Sequence, residues 1–165
     1  MKIKFLKDLL ESSIIKAPLN EDQEYWLEQY NSEDRIVQLV GDRASGRTSF
    51  GLGVCIARAI ANGDSCVVVC QNRTLTSMTL KNVADIVSEL GVNQVVSLTK
   101  NDIVFDNGGR IKFTENRPNT FRGLTCQLVF IDFNCYTVAH LDRELMMNVL
   151  PIIHHIDGAK LLVSV

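Results

Sequence analysis

Two hydrophobic periodicities alternate along the chain. Continuous apolar runs, typical of strands buried on both faces of a parallel sheet, occur at 36–40, 65–71, 126–132 and 160–165, and 95–98 is predicted to be a short strand. Helical spacing of apolar residues occurs at 1–17, 20–30, 47–60, 75–90 and 141–150. An Asn-Gly-Gly turn at 107–109 predicts a hairpin between 102–105 and 110–113. Because strands alternate with helices, the pattern predicts an α/β fold with a mainly parallel central sheet.

Two element boundaries carry specific signals. Asn20 is the expected N-cap of the second helix, with Gln23 at the capping-box position. Pro151 is expected to end the helix that begins near Leu141, since proline has no N–H to donate. With 165 residues and no repeat or linker, we expect a single domain, in which N-terminal helices (1–34) precede a nucleotide-binding core (35–165).

The segment GDRASGRT at 41–48 matches the phosphate-binding P-loop pattern G-x-x-x-x-G-K-[S/T], except that Arg47 replaces lysine. Backbone N–H groups and the following helix dipole favour phosphate at such a loop. The Thr48 hydroxyl is expected to bind Mg²⁺. An ordinary glycine-containing turn is the alternative. The predicted phosphate contacts in the loop are Gly41, Arg43, Ser45, Gly46, Arg47, Thr48 and Ser49.

A second motif, LVFID at 128–132, is typical of a Walker B strand. We expect this strand to lie next to the P-loop strand, with Asp132 holding Mg²⁺ through water; a strand-end aspartate capping a turn is the alternative. Phe133 occupies the position where a glutamate usually polarises the attacking water. Asn134 could orient water but not accept its proton. Losing a general base costs about 10²–10⁴-fold, so slow or absent hydrolysis is expected from the catalytic set Arg47, Asp132 and Asn134.

The net charge of −2 gives no global basic field for nucleic acid, although local patches remain. Arg117 and Arg122 lie in a turn-rich loop, where they could contact phosphate, act as an arginine finger to a neighbouring subunit, or be solvated. Arg73 follows a predicted strand and could contact a nucleic-acid backbone. The five cysteines form no CxxC pair and indicate a reducing compartment. No signal peptide or membrane-spanning run is present, so a soluble, cytoplasmic protein without a membrane partner is expected.

These motifs, in their order and spacing, resemble the ATPase domain of phage terminase large subunits, the motors that package DNA, and more loosely helicase motor domains. RASGRT at 43–48 resembles the terminase loop R-x-x-G-K-[S/T], and Gln23 resembles the glutamine that contacts adenine upstream of the P-loop. The segment at 66–87 resembles the strand and helix that follow the P-loop in the family. The segment at 111–132 resembles the family's run of a strand, a loop with Arg-Gly and the Walker B strand. KLLVSV at 160–165 resembles the family's coupling strand, which usually leads to a serine or threonine, and Ser164 occupies that position.

The resemblance implies a three-layer P-loop NTPase fold of the RecA-like (ASCE) type that binds ATP and Mg²⁺. It also implies double-stranded DNA, other motor subunits or a related active ATPase as partners, and the host cytoplasm as location if the protein is viral. Tyr25 and Trp26 either stack on adenine or pack in the core. A motor domain and a nucleotide-binding or structural protein without turnover both remain open. A hexameric replicative helicase is a third hypothesis, based on GRTSFGLG at 46–53, against which Gln23 and the Arg-Gly loop argue.

Overall fold

The structure is a computed structural model that describes residues 3–42, 44–91, 95–133 and 143–165. Its helices are α1 (Ile3–Leu9), α2 (Glu21–Asn31), α3 (Arg47–Asn62), α4 (Arg73–Glu89) and α5 (Arg143–His154). Its strands are β1 (Ile36–Leu39), β2 (Ser65–Cys70), β3 (Val95–Leu98), β4 (Asp102–Phe105), β5 (Arg110–Glu115), β6 (Leu128–Asp132) and β7 (Lys160–Ser164). A π-helical turn (Leu10–Ile14) extends α1, and a 3-10 helix (Pro118–Phe121) follows β5.

The described strands form one sheet in the order β1-β7-β6-β2-β5-β4-β3. The strands from β1 to β5 in this order pair in parallel, and β4 and β3 extend the sheet as an antiparallel hairpin. The predicted α/β class and mainly parallel sheet are therefore confirmed. Within the described part of the chain, no helix is long and apolar enough to cross a membrane.

Helices cover both faces of the sheet, which gives the three layers that were expected. One apolar cluster joins α1, α2, α3 and α4 to one face, and the other joins α5 and the 3-10 helix to the opposite face. Alternate strand residues divide between the clusters, as strand geometry requires: Phe130 belongs to the first and Ile131 to the second. Cys55, Cys66, Cys70 and Cys126 are buried, free thiols.

Glycine sets the distance between α3 and the sheet. A Cβ at Gly51 would lie 2.3 Å from the ring of Phe130 on β6, so only glycine lets the helix approach this closely. The C-terminal end of α3 is fixed by Gly63, which adopts φ of +70° as the C-cap. Asn107 of the hairpin turn donates to the carbonyls of Ala59 (3.0 Å) and Ile60 (2.7 Å) there. These contacts hold the P-loop helix over the strand that carries Asp132.

Two expectations from the sequence were wrong. The Walker B strand β6 does not adjoin the P-loop strand β1, because β7 pairs with both and lies between them. The helix α5 does not stop at Pro151 but continues to His154. Proline removes one helical hydrogen bond, and the burial of Ile152 and Ile153 against the second cluster gives that last turn its packing.

Candidate functional site

The P-loop links the end of β1 to the start of α3 through a turn closed by its own polar groups. The Ser45 backbone N–H and hydroxyl both donate to the carbonyl of Asp42, at 3.0 and 2.7 Å. Gly46 then adopts φ of +83°, a left-handed conformation that favours glycine, and its carbonyl accepts from Phe50 at 2.9 Å. The loop therefore presents the N-terminal end of α3, as a phosphate site requires. Arg43 lies outside the described residues.

The N-terminal end of α2 is hydrogen-bonded to this loop through Gln23. Gln23 is 4% exposed. Its Nε2 donates to the carbonyl of Ser45 at 3.1 Å, while its Oε1 accepts from the Asn20 backbone N–H at 3.1 Å. A Cβ at Gly46 would lie 2.5 Å from that Nε2, so the hydrogen bond from Gln23 to Ser45 depends on glycine at position 46. The expected capping box of Asn20 and Gln23 is confirmed, and the contact of Gln23 with adenine stays a prediction.

The neighbouring aromatic residues have different surroundings. Trp26 is buried, meets Phe50 edge-on with ring centroids 5.5 Å apart, and donates through Nε1 to the Val40 carbonyl at 3.2 Å. This contact is core packing, one of the two alternatives that the sequence left open. Tyr25 is 57% exposed on the same helix.

Thr48 and Asp132 meet across the interface between α3 and β6. The Thr48 hydroxyl donates to Asp132 Oδ1 at 2.7 Å. Burial raises the pKa of the Asp132 carboxyl above its ordinary value, and the hydrogen bond from Thr48 and the charge of Arg47 oppose that shift. A hydroxyl and a carboxylate are hard oxygen ligands of the kind that Mg²⁺ prefers. The two residues predicted as metal ligands are therefore side by side.

Arg47 points toward the end of β7. Its Nη1 donates to the backbone oxygen of Val165, and the Val165 backbone N–H donates to Leu39 at 3.1 Å. The guanidinium thus lies near the junction of β1 and β7, close enough for its charge to act on Asp132.

Two further side chains flank Asp132, and sequence patterns did not select them for the site. Cys70 ends β2 directly beside Asp132 in the strand register. Ser164 follows Val163, the partner of Ile131, and faces the α3 side by strand alternation. The Ser164 hydroxyl is buried, with the residue 3% exposed, and has no hydrogen-bond partner among the described residues. Only the resemblance pointed to Ser164, and no signal marked Cys70 except its place at a strand end.

Phe133 packs against the apolar cluster on the opposite face of the sheet from α3. The chain thus has an apolar contact at the position after the Walker B aspartate. Asn134 lies outside the described residues, so its role in orienting water stays a prediction. Ser49 is the third residue of α3, and its contact with phosphate stays a prediction.

A cavity of about 520 Å³ lies further along the same sheet edge. Among the described residues, the charged side chains that line it are Arg73, Lys100, Lys112, Glu115, Arg117 and Arg122, and we call it the basic cavity. The structure thus brings together Arg73, Arg117 and Arg122, which the sequence suggested separately. The sequence did not suggest Lys100 and Lys112, because they come from the β3–β4 turn and from within β5.

The strand order of the sheet and the helices on both of its faces define a RecA-like fold. Among solved structures, the chain is similar to the HK97 bacteriophage large terminase, with a TM-score of 0.74 and 13% identity over 99% of this chain and 37% of that chain. It is also similar to the ATPase domain of the Thermus phage P74-26 large terminase, with a TM-score of 0.64 and 16% identity over 92% of this chain and 66% of that one.

A third similar structure is the large terminase of a thermophilic bacteriophage in complex with ADP, with a TM-score of 0.64 and 14% identity over 89% of this chain and 38% of that chain. The chain therefore spans little more than a third of two of these terminases. At these identities the likeness establishes the fold, which is the terminase ATPase fold that the sequence motifs suggested. No protein-family model matches the sequence, and no curated protein does either.

Proposed function

We propose that the chain is an ATP-binding, motor-type domain of a terminase-like DNA-packaging ATPase. The contact between Thr48 and Asp132 carries the proposal, because a P-loop hydroxyl and a strand-end carboxylate meet at 2.7 Å beside the N-terminal end of α3. The resemblance to terminase ATPase domains in fold supports it, as does the ADP bound to one of the similar terminases.

The residues have distinct proposed roles. The loop backbone and Arg47 bind the phosphates, with Arg43, Ser45 and Ser49 contributing further contacts. Thr48 and Asp132 would hold Mg²⁺, and the ion would supply positive charge that neutralises the phosphates. The oxygen ligands present suit that ion. Ser164 supports the assignment, because its buried hydroxyl lacks a partner among the described residues and a polar ligand beside Asp132 would supply one.

Gln23 positions the loop and, in the proposal, also contacts adenine. Double-stranded DNA and other motor subunits are the proposed partners, with the host cytoplasm as location if the protein is viral.

A second candidate function is a nucleotide-binding domain that does not turn over and assembles with an active motor. One observation favours it: Phe133 packs against the far apolar cluster, where an active enzyme of this class usually has a glutamate. In this case the chain binds ATP and Mg²⁺, and the general-base step is lost.

Calorimetric titration with ATP and Mg²⁺ tests the first part of the proposal. Arg47→Ala removes a charge-assisted phosphate contact worth about 1.5–3 kcal/mol, so the affinity should fall at least about tenfold. Arg35→Ala is a matched control, because Arg35 also donates to a backbone carbonyl, that of His154 at 3.2 Å, but precedes β1 at the other end of the strand. Equal affinities of the two variants would remove the P-loop from the proposal.

A phosphate-release assay on the same samples separates the two candidates. Turnover above background supports the motor domain, whereas tight binding without turnover supports the non-hydrolysing relative. Phe133→Glu should raise any measured rate, because it adds a carboxylate at the position of the missing base. An unchanged rate in that variant would show that more of the catalytic set is missing than this one group.

A further inference from the structure

Two neighbouring strands present hydrocarbon at the position that follows Asp132. Phe133 occupies this position, and its side chain packs against the apolar cluster on the α5 face of the sheet. Extending the parallel pairing of β6 with β7 by two residues places Val165 beside Phe133, and Val165 packs against the same cluster. Neither side chain can hold an attacking water. The other neighbour of β6 is β2.

The strand β2 brings a glutamine to the same level of the sheet. Cys70 pairs with Asp132 in the parallel register, so the next residue, Gln71, is level with Phe133. Neighbouring strands lie about 4.8 Å apart, which is within the reach of a side chain. Strand alternation puts Gln71 on the same face as Phe133, because Val69 belongs to the cluster on the α5 face. Gln71 therefore lies next to the position where a glutamate usually polarises the attacking water.

The backbone around Gln71 is fixed, whereas its side chain is exposed. The side-chain amide has no hydrogen-bond partner among the described residues. On one side of it, the Cys70 carbonyl accepts from the Asn116 backbone N–H at 3.0 Å. On the other side, the Asn72 side chain caps α4 by accepting from the Leu75 backbone N–H at 3.0 Å. These two contacts hold the chain on both sides of the Gln71 amide, which is the preorganisation that a water site needs.

Two other polar side chains near Asp132 differ from Gln71 in place and exposure. Ser164 and Cys70 are 3% and 1% exposed. Both are level with Asp132 rather than with Phe133 in the strand register. Within the described parts of β7, β6 and β2, the register therefore selects Gln71 as the exposed polar side chain beside Phe133.

We propose that Gln71 is a positioning residue that orients the water attacking the terminal phosphate of ATP, beside the position where the chain lacks a glutamate. This inference rests on the proposed function. A side-chain amide can accept a hydrogen bond from water and donate another to its oxygen, and glutamine orients the attacking water in this way in some GTPases.

The reaction balances without a protein base. The water oxygen bonds to the terminal phosphorus while the bond from that phosphorus to the bridging oxygen breaks, which gives ADP and inorganic phosphate. One proton stays on the attacking oxygen, and the other goes to a second oxygen of the transferred phosphate, because an amide does not take it up. A positioned base is worth about 10²–10⁴-fold, so orientation by Gln71 alone predicts slow turnover.

The test is calorimetry with Mg²⁺ and ADP, with and without aluminium fluoride, a planar mimic of the phosphoryl group that retains the attacking water. Gln71→Ala should leave the affinity for ADP unchanged. It should reduce the gain in affinity from aluminium fluoride about fivefold, because one hydrogen bond to that water is lost. In a phosphate-release assay, kcat should fall by a similar factor with KM nearly unchanged. Gln38→Ala, at an exposed glutamine of β1, is the matched control and should behave as the wild type.

An equal gain from aluminium fluoride in Gln71→Ala and in the wild type would overturn the inference. A lower affinity of Gln71→Ala for ADP alone would also overturn it, since the residue would then act on binding or on the local fold rather than on the water. If the wild type does not bind ADP, the proposed function itself fails. If the wild type binds ADP but gains no affinity from aluminium fluoride, nucleotide binding stands and only the role of Gln71 fails.

Discussion

The P-loop site and the basic cavity lie along one sheet edge, but their polar groups differ in whether they have partners within the protein. In the P-loop site, Gln23, Ser45 and Thr48 donate to protein oxygens and Asp132 accepts. In the basic cavity, Arg73 and Lys100 have no ion pair among the described residues. The first site is preorganised by internal hydrogen bonds, whereas the charge of the second would be balanced by an external anion.

This difference predicts how each site responds to mutation. Changes in the P-loop site should alter both loop geometry and ligand affinity, because Gln23, Ser45 and Thr48 each donate to a protein oxygen there. Changes in the basic cavity should alter ligand affinity and its salt dependence but cost little stability, since they remove repulsion.

The largest effect is expected from Asp132→Asn. The substitution keeps the shape of the side chain but removes the charge that Mg²⁺ requires, so Mg²⁺-dependent ATP affinity should fall about 10–100-fold. Calorimetry with and without Mg²⁺ measures this loss. Equal affinities of the variant and the wild type in the presence of Mg²⁺ would contradict the metal role of Asp132.

The next effect is expected from Gly51→Ala, which should lower stability by about 1–3 kcal/mol, because the new methyl group overlaps the Phe130 ring. A fall in Tm, measured by thermal unfolding, checks this. The added methyl group also moves α3 away from β6, and so Thr48 from Asp132. In the double variant Gly51→Ala/Phe130→Leu the smaller side chain should restore part of the loss. A stable Gly51→Ala variant would contradict the close approach.

A smaller effect is expected from Gln23→Ala, which removes a buried donor to the Ser45 carbonyl. Loss of one such hydrogen bond costs about 1 kcal/mol, so ATP affinity should fall about fivefold. Gln29→Ala on the same helix is the control, since its side chain is half-buried and follows Gln23 by six residues along α2. Similar affinities for both variants would show that the hydrogen bond from Gln23 to the Ser45 carbonyl does not set the loop geometry.

The smallest effect is the pH dependence of stability that Asp132 contributes in the absence of Mg²⁺. Burial raises the pKa of Asp132 in the folded protein, so the folded state binds the proton more readily than the unfolded state. This contribution therefore increases stability as the pH falls through the raised pKa and disappears above it. Urea unfolding at several pH values should show a smaller gain on acidification for Asp132→Asn than for the wild type. Identical curves would argue against a shifted carboxyl.

The sequence alone determined the features that depend on neighbours along the chain. The strand–loop–helix run around Gly46 predicted the glycine-containing loop between β1 and α3, the Asn107-Gly108-Gly109 turn predicted the β4–β5 hairpin, and Asn20 predicted the cap of α2. Each of these signals uses backbone geometry or hydrogen bonds within a few residues, so its physical cause is present in the local sequence.

Only the tertiary structure decided which elements become neighbours. It placed β7 between β1 and β6, gave Gln23 a carbonyl on the P-loop as its partner, and gathered Arg73, Lys100 and Lys112 into one cavity. Hydrophobic periodicity predicts which face of a helix or strand is buried, but it does not predict which other element covers that face. Contacts between distant residues depend on strand order and on close approaches such as that of α3 at Gly51, and these are set by the packing of the whole domain.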